Sequence, residues 1–151
     1  MNDANAVKLV TKYKFLSNSL SDAPVEYASS FQLFLFECGD GWFDLLDRTF
    51  SKMLVAARYP EDIFISQVKE KWAGLRIYFS CHADDAEALR SITYAAEDES
   101  FHICEVCGRE GSIREIHGFQ TLCDEHYNER LEYYKKIEGL KEYDLDKERG
   151  E

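Results

Sequence analysis

The sequence predicts an α+β protein in which helices and a β-hairpin form a larger body and a small cysteine-rich module follows. Several segments repeat apolar residues at helical spacing, and one segment alternates apolar and polar residues around a tight turn. Three cysteines and one histidine are grouped within residues 104–126. We therefore divide the chain into a body, residues 1–100, a module, residues 101–140, and a polar tail, residues 141–151.

The start of the body is predicted to be helical. Residues 3–17 predict one amphipathic helix because apolar side chains recur at intervals of three or four residues. Residues 17–24 are a polar break. Residues 31–37 are short and aromatic, and their pattern fits a strand as well as a buried helical turn.

A second predicted helix occupies residues 42–58 and follows a turn at residues 39–41, where Asp40 is placed to act as its N-cap. The chain leaves this helix at Tyr59-Pro60. One continuous apolar face is expected along the helix. It consists of Trp42, Leu45, Leu46, Phe50, Met53, Leu54 and Ala57.

The predicted hairpin has strands over residues 63–72 and 75–81, joined by a turn at Ala73-Gly74. A helix over residues 84–99 follows it, with acidic residues in its first turn. Three cations of the hairpin could hold a phosphate or an acidic partner, although the favoured interpretation is that they are solvated strand residues that protect an edge. These cations are Lys69, Lys71 and Arg76. We expect Trp42 and Trp72 in the core, and Cys38 and Cys81 as small buried residues.

The formal net charge of −11 limits the classes of partner. Such a chain repels nucleic acid, because affinity for phosphates rests on Lys and Arg. It favours basic proteins or proteins that normally bind nucleic acid, although net negative charge also serves solubility. No apolar run is long enough to cross a membrane, and residues 1–12 do not resemble a signal peptide. We expect a cytoplasmic protein that binds neither nucleic acid nor membrane; its oligomeric state stays open.

Four residues form the most informative motif: Cys104-x2-Cys107 and, fifteen residues later, Cys123-x2-His126. Paired thiolate and imidazole ligands at this spacing are typical of a tetrahedral zinc site. Either His102 or His117 could replace His126 as the fourth ligand, but the x2 spacing favours His126. A redox-active CxxC pair is the alternative, and it requires a βαβ context that the sequence does not predict.

The residues around the motif predict a treble-clef-like zinc module. Gly108 allows a tight knuckle after Cys107. Two short strands, residues 112–115 and 119–122, meet at Gly118. A helix to about residue 140 then carries the last two ligands one turn apart. Its apolar positions are Tyr127, Leu131, Tyr134 and Ile137.

A complete set of four protein ligands predicts a structural zinc ion and no catalysis, because catalytic zinc keeps a position open for water. The cytidine-deaminase motif is missing as well. A nuclease of HNH type also uses a hairpin and helix of this kind, and His117 stands near the position that its catalytic histidine would need. No further ligands at Asn128 or Glu129 complete such a centre, so we do not expect an enzyme.

Several strings resemble an uncharacterised family of small bacterial, phage and prophage proteins. They are residues 39–46 (GDGWFDLL), 67–71 (QVKEK), 74–76 (GLR), 104–108 (CEVCG) and 122–126 (LCDEH). The resemblance covers about residues 36–128, and the chain departs from it at Trp72-Ala73, where we expect Phe-Gly. It implies a phage-type accessory setting in which small acidic proteins bind host proteins.

Three functions remain in view. The leading one is an acidic, zinc-containing accessory protein that binds and inhibits a host nucleic-acid-handling or defence protein. The second is a zinc-dependent regulator that binds nucleic acid through Lys69, Lys71 and Arg76. The third is an HNH-like nuclease. The acids near the two ends of helix 84–99 are the predicted contact surface for a basic partner. They are Asp84, Asp85, Glu87, Glu97, Asp98 and Glu99.

Overall fold

A computed structural model of the chain describes residues 1–20 and 28–149, with side chains up to residue 139. Six α-helices and five β-strands lie within these ranges. The helices are α1 (Asp3–Lys12), α2 (Lys14–Asn18), α3 (Ser30–Phe34), α4 (Phe43–Ala56), α5 (Ala86–Ser100) and α6 (Asp124–Arg149). The strands are β1 (Phe36–Glu37), β2 (Phe64–Lys71), β3 (Gly74–Ser80), β4 (Ser112–Glu115) and β5 (Phe119–Leu122). The predicted α+β class is confirmed.

The body contains a three-stranded sheet in the order β1-β2-β3. β1 runs parallel to β2, and β2 and β3 form the predicted antiparallel hairpin. A bulge between Ile65 and Gln67 shifts the register of the hairpin near its open end. Within the described residues β3 pairs only with β2, and α5 lies beside it.

Helices and sheet enclose one large hydrophobic cluster. Edge-to-face contacts join Tyr13 and Phe15 to Phe50, with ring centroids 5.7 Å apart in both pairs. The apolar side chains that recur along α1, α4 and α5 face this common core, as the sequence predicts. Its largest fully buried members include Trp42, Phe31, Phe50, Leu9, Leu16, Leu45, Leu46, Met53, Ile63, Ile65, Leu75 and Leu89.

The predicted single helix over residues 3–17 is wrong, because Tyr13 interrupts it. Tyr13 has an extended backbone (φ −112°, ψ 107°) between α1 and α2. Its hydroxyl donates hydrogen bonds to the backbone carbonyl of Asp47, at 2.7 Å, and to the Asp47 carboxylate, at 2.8 Å. This tertiary contact outweighs the local helical pattern. The polar break predicted at residues 17–24 lies largely outside the described residues.

The ambiguous segment 31–37 is divided between the two predicted structures. Ser29 and Gln32 form a capping box that starts the short helix α3. Leu35 ends the helix with a positive φ of 52°, and the next two residues pair with β2 as β1. The segment therefore changes from helix to strand within a few residues.

Helix α4 is confirmed over residues 43–56, but the predicted role of Asp40 is wrong. Asp40 lies in a short 3-10 turn, and its carboxylate accepts hydrogen bonds from the backbone N–H of Asn2 at 2.9 Å and from the Asn5 side chain at 3.1 Å. It anchors the start of α1 instead of capping α4. Leu54 is 43% exposed, so the apolar face is narrower than predicted.

The hairpin turn is one residue earlier than predicted. The buried position predicted for Trp72 is wrong as well. Trp72 and Ala73 are the two turn residues, with φ of 55° and 68°. The side chain of Trp72 is 67% exposed, while Ala73 is fully buried. A two-residue turn with two positive φ angles points its first side chain outward, which the apolar character of Trp72 does not indicate.

A second, smaller hydrophobic cluster belongs to the C-terminal part of the chain. Strands β4 and β5 occupy the predicted residues and pack on α6. The cluster contains Cys104, Ile116, Leu122 and Cys123, with Tyr127, Leu131 and Tyr134 packed against it. The division at residue 100 stays a prediction, although the two clusters separate near it. The predicted end of the last helix near residue 140 is wrong, since α6 continues to Arg149, and the polar tail as a separate segment stays a prediction. No described helix combines the length and the apolar character that crossing a membrane requires.

Candidate metal centre

The four predicted ligands meet in one place. The sulfur atoms of Cys104, Cys107 and Cys123 and a ring nitrogen of His126 all lie within 4.8 Å of one another. Among the described residues this is the one group of three or more His, Cys, Asp or Glu side chains with such spacing. The arrangement is a candidate metal site with four protein donors.

The first two ligands lie on a tight knuckle of backbone. The N–H of Gly108 donates to the carbonyl of Cys104 at 2.8 Å, and the N–H of Cys104 donates to the carbonyl of Arg109 at 2.7 Å. Gly108 has a φ of 77°, a conformation that favours glycine. The knuckle directs both thiols to the same side.

The second two ligands lie at the start of α6. Cys123 directly follows β5, and the N–H of Tyr127 donates to its carbonyl at 2.9 Å. His126 lies in the first turn of α6, on the face that also carries Cys123. The hairpin β4–β5 thus brings the helix start to the knuckle, as a treble clef requires.

The distances between the donor atoms are those of a compact cluster. The sulfur atoms of Cys107 and Cys123 are 3.9 Å apart. Nδ1 of His126 lies 3.5 Å from the sulfur of Cys104 and 3.2 Å from that of Cys123. Because Nδ1 faces the thiols, it is the nitrogen available to a metal. Nε2 points the other way and lies 4.0 Å from a carboxylate oxygen of Glu129.

The environments of the thiols differ. Cys104 is fully buried, and burial raises the pKa of its thiol. Cys107 is exposed. Its limited burial acts to raise the pKa, but hydrogen bonds from the side chain and the backbone N–H of Arg109, and then from the neighbouring thiols, outweigh this and lower the pKa of Cys107 to about 6. A metal would therefore displace a proton more readily from Cys107 than from Cys104.

Arg109 is a functional neighbour of the site that the sequence did not indicate. Its Nε donates to the sulfur of Cys107 at 3.3 Å, and its Nη2 lies 3.7 Å from the sulfur of Cys123. Nη2 also pairs with the carboxylate of Glu125. One guanidinium thus bridges the knuckle and the helix start. The only signal in the sequence is a cation two residues after the second cysteine.

The body supplies a cradle for the knuckle, formed by the Gly39-Asp40-Gly41-Trp42 segment. The N–H of Gly41 donates to the carbonyl of Glu105 at 2.7 Å, and Nε1 of Trp42 donates to the carbonyl of Ile103 at 2.9 Å. A Cβ atom on Gly41 would lie 2.2 Å from the carbonyl oxygen of Cys104. The sequence predicts only a turn here, although two glycines within the three residues before a tryptophan are a signal of close packing.

The spare histidines lie outside the donor cluster. The backbone of His102 takes part in the link between α5 and the knuckle, where its carbonyl accepts from the N–H of Gly111 at 3.0 Å. His117 lies in the β4–β5 turn with its ring 4.2 Å from that of Tyr134, and its Nε2 is 3.2 Å from a carboxylate oxygen of Glu138. His126 is therefore the histidine that completes the group.

The three hairpin cations do not form a free basic patch. Nη1 of Arg76 lies 2.7 Å from a carboxylate oxygen of Glu97. Lys69 is opposite Arg76 in the register of the hairpin, and its Nζ is 6.0 Å from the ring centroid of Tyr78. Lys71 lies beside the turn. Cys38 is buried as predicted, whereas Cys81 is half-buried.

The acids near the ends of α5 are also less available than predicted. Asp85 is buried, and its two carboxylate oxygens accept hydrogen bonds from the backbone N–H groups of Arg58 and Tyr59, both at 2.9 Å. Glu97 is paired with Arg76, and Glu99 with Arg48. Three of the six predicted contact acids thus serve the fold, and Asp84, Glu87 and Asp98 remain exposed.

No protein-family model, curated protein or solved structure matches this chain significantly.

Proposed function

We propose that the chain holds one structural zinc ion in the Cys104, Cys107, Cys123 and His126 site and acts, without catalysis of its own, by binding another protein. The observation that carries the proposal is the complete set of four protein donors around one point.

The donor chemistry and the donor distances both favour zinc. Three thiolates and one imidazole are ligands that zinc prefers. In a zinc tetrahedron, bonds of about 2.3 Å to sulfur and about 2.0 Å to nitrogen place two sulfurs about 3.8 Å apart and a sulfur and a nitrogen about 3.5 Å apart. The distances of 3.9, 3.5 and 3.2 Å between donor atoms follow this geometry closely.

The charge of the site supports the same assignment. With a divalent ion, three thiolates and a neutral imidazole, the site as a whole would carry a net charge of about −1. The guanidinium of Arg109, within hydrogen-bonding reach of Cys107 and Cys123, would balance it. On the far side of His126, a carboxylate oxygen of Glu129 lies 4.0 Å from Nε2, where its negative charge favours a proton on Nε2 and leaves Nδ1 to the metal.

A site with four protein donors supports a structural role. Catalytic zinc commonly has three protein ligands and an open position for water or substrate. Here the fourth position is filled by His126. In a small module, metal binding then adds directly to folding free energy. The small hydrophobic cluster around Cys104 and Leu122 is of the size that needs such support.

Binding to a protein is supported by charge and by resemblance. The chain carries a net charge of −11, and the exposed acids of α5 are available to a basic surface. The resemblance to small phage and prophage proteins supports a partner in a bacterial host. A protein that normally binds nucleic acid fits best, since its basic surface complements an acidic one. The proposed compartment is the cytoplasm.

The nucleic-acid alternatives are weaker. A regulator that uses the hairpin cations would have to free Arg76 from Glu97. A nuclease that uses His117 would have to draw its imidazole away from Glu138 and Tyr134. No observation in the described residues supplies a second metal centre near either group.

Elemental analysis of protein purified without added metal tests the zinc assignment. We expect one zinc per chain, and we expect Cys107→Ser to lose most of it because three ligands remain. Cys81→Ser is the matched control, since Cys81 is a thiol outside the cluster. A zinc content near zero, or iron in its place, would show that the assignment is wrong.

The partner proposal needs a binding measurement with its own controls. A partner captured from host lysate should associate more slowly as salt rises, because attraction between opposite charges is screened over about 8 Å at physiological salt. Charge reversal at Glu87 and Asp98 should slow association without unfolding the chain. DNA cleavage that disappears in His117→Ala, or a gel shift that requires Lys69 and Lys71, would instead support the nuclease or the regulator.

A further inference from the structure

The free edge of strand β3 faces a groove that the proposed function does not use. Five consecutive strand residues, Leu75 to Phe79, form one wall, and one face of α5 forms the other. The cleft between them has a volume of about 200 Å³. Since five successive residues of one strand line it, the groove runs along the edge of the strand and not across the face of the sheet. The helix side consists of Arg90, Thr93, Tyr94 and Glu97.

The hairpin geometry shows which backbone groups point into the groove. In a hairpin with a two-residue turn, the residues that flank the turn bond to each other, and the direction of the N–H and C=O groups then alternates along the strand. Gly74, Arg76 and Tyr78 therefore point toward β2, whereas Leu75, Ile77 and Phe79 point outward. Leu75 confirms this direction, because its N–H donates to Oγ of Ser100 in α5 at 2.9 Å.

Beyond Leu75 the edge of β3 is unpaired within residues 1–20 and 28–149. The N–H and C=O groups of Ile77 and Phe79 have no hydrogen-bond partner among the described residues outside the β2–β3 ladder. Unpaired groups along an edge strand are a template for another strand. Here α5 leaves a groove beside the edge instead of covering it, which gives an added strand a second wall to pack against.

The charges of the groove select the chemistry of the added strand. Arg90 is exposed and has no carboxylate within ion-pair distance among the described residues. Arg76 is paired with Glu97, which leaves the lining with an excess positive charge in a chain of −11. Lys69, opposite Arg76 in the hairpin, adds a second positive charge on the same face. Glu87 and Asp98 do not line the groove, but they lie on the adjoining surface of α5, where they line a second cleft together with Arg90 and Tyr94.

The exposed aromatic side chains add contact area to this surface. Tyr78 and Tyr94 are 41% and 64% exposed, and they line the groove from opposite walls. Tyrosines of this kind pack against an extended backbone while their hydroxyls remain available for hydrogen bonds.

We propose that an extended, acidic peptide segment of a partner protein adds to the free edge of β3 as a fourth strand, packs against α5 and binds Arg90 through its carboxylates. The groove adjoins the acidic surface in the proposed function, but its ligand carries the opposite charge, so separate measurements with an acidic peptide and with a basic partner distinguish the two proposals. The two proposals therefore succeed or fail separately.

The test uses the full metal-loaded chain and a short labelled peptide that alternates Glu and Val. We expect it to bind, and a peptide that alternates Lys and Val not to bind. Arg90→Glu should weaken binding by about tenfold or more, because attraction becomes repulsion. Lys52→Glu makes the same change of charge at an exposed position of α4 that does not line the groove, and it should leave binding unchanged.

Amide hydrogen exchange followed by NMR provides the structural measurement. In the free protein the amides of Ile77 and Phe79 should exchange faster than those of Arg76 and Tyr78, and the acidic peptide should protect them. The proposal is overturned if Ile77 and Phe79 are already protected in the free monomer, or if the acidic peptide does not bind. Equal weakening by Lys52→Glu, or protection that requires dimerisation of the chain, also overturns it.

Discussion

At the residue scale, Gly41 has no side chain, and this allows the backbone of the metal module to pack directly against the body. A Cβ atom at this position would lie 2.2 Å from the carbonyl oxygen of Cys104 and 2.5 Å from the nitrogen of Gly108. Both neighbours belong to the backbone of the knuckle, so neither can move without displacing the ligands. The requirement for glycine here is steric.

We therefore predict that Gly41→Ala lowers the free energy of unfolding by about 3 kcal/mol, at the upper end of overpacking effects, and speeds the loss of zinc to a colorimetric chelator. Gly139→Ala is the matched control. A Cβ atom at Gly139 meets nothing within 4 Å, and the same substitution inside α6 should be neutral or stabilising by up to about 1 kcal/mol. Equal melting temperatures for the Gly41 variant and the wild type would contradict the close approach.

Asp85 is a second residue whose role depends on tertiary contacts. Backbone hydrogen bonds from Arg58 and then Tyr59, with the positive charges of His82 and Arg58, lower the pKa of its carboxyl group in spite of burial. A group with a lowered folded-state pKa stabilises the protein above its unfolded-state pKa, and this stabilisation is lost as the pH falls through the folded-state value.

Asp85→Asn should lower the urea midpoint at neutral pH, because one of the two acceptor oxygens becomes an NH₂ group that faces a backbone N–H. The difference between variant and wild type should shrink as the pH falls below the unfolded-state pKa of an aspartate, about 3.9, toward the lowered folded-state pKa of Asp85. Urea titrations measure this difference in midpoint, from neutral pH down to the lowest pH at which both proteins stay folded. A difference that widens toward acid pH would rule out the carboxylate as the stabilising form.

At the scale of elements, the β2–β3 hairpin has a turn that its residues do not favour. Trp72 and Ala73 both have positive φ angles, which L-residues with large side chains rarely adopt. The contact of Trp72 with Phe119, at 6.3 Å between ring centroids, is its one aromatic contact among the described residues. Ala73 is held by Thr121, whose hydroxyl donates to its carbonyl at 2.8 Å. The turn is thus maintained by the hairpin β4–β5 that packs on it.

Trp72→Asn should raise the free energy of unfolding by about 1 kcal/mol, since asparagine tolerates a positive φ and little buried area is lost. Thermal melts of metal-loaded protein measure the change. Trp72→Phe keeps both the strain and an aromatic ring, so it should be nearly neutral. A lower melting temperature for the asparagine variant would mean that the Trp72–Phe119 contact contributes more than the backbone strain costs.

At the scale of the whole molecule, body and module stabilise each other through a few specific hydrogen bonds. Nε1 of Trp42 reaches the carbonyl of Ile103, and Thr121 reaches the carbonyl of Ala73. The proposed metal holds the module side of these bonds in place. Loss of the metal should therefore weaken these hydrogen bonds and destabilise the core of the body.

We predict that a strong chelator lowers the melting temperature by about 10 °C or more and changes the fluorescence of Trp42, and that added zinc reverses both effects. Trp72→Phe protein isolates the Trp42 signal from that of the exposed tryptophan. Unchanged melting of protein that elemental analysis shows to be metal-free would mean that the module folds on its hydrophobic cluster alone.

The sequence by itself determined the features that depend on local spacing. The four ligands, the β4–β5 hairpin, the amphipathic helices and the β2–β3 alternation all follow from residues close together in the chain, whose periodicity or ligand spacing has one simple solution. Helix α4 is an example, since its apolar residues recur at helical spacing and most of them lie in the core.

Only the tertiary structure decided the features that depend on residues far apart. The helix break at Tyr13 depends on its hydrogen bond to Asp47, and the close packing at Gly41 depends on the knuckle. The burial of Asp85 depends on the backbone at the end of α4, and the exposure of Trp72 depends on the conformation of its turn. In each case the structure that the local sequence favours is overridden by a contact with a distant segment or by the backbone geometry of a turn. The strength of such a contact depends on geometry that one sequence window does not contain.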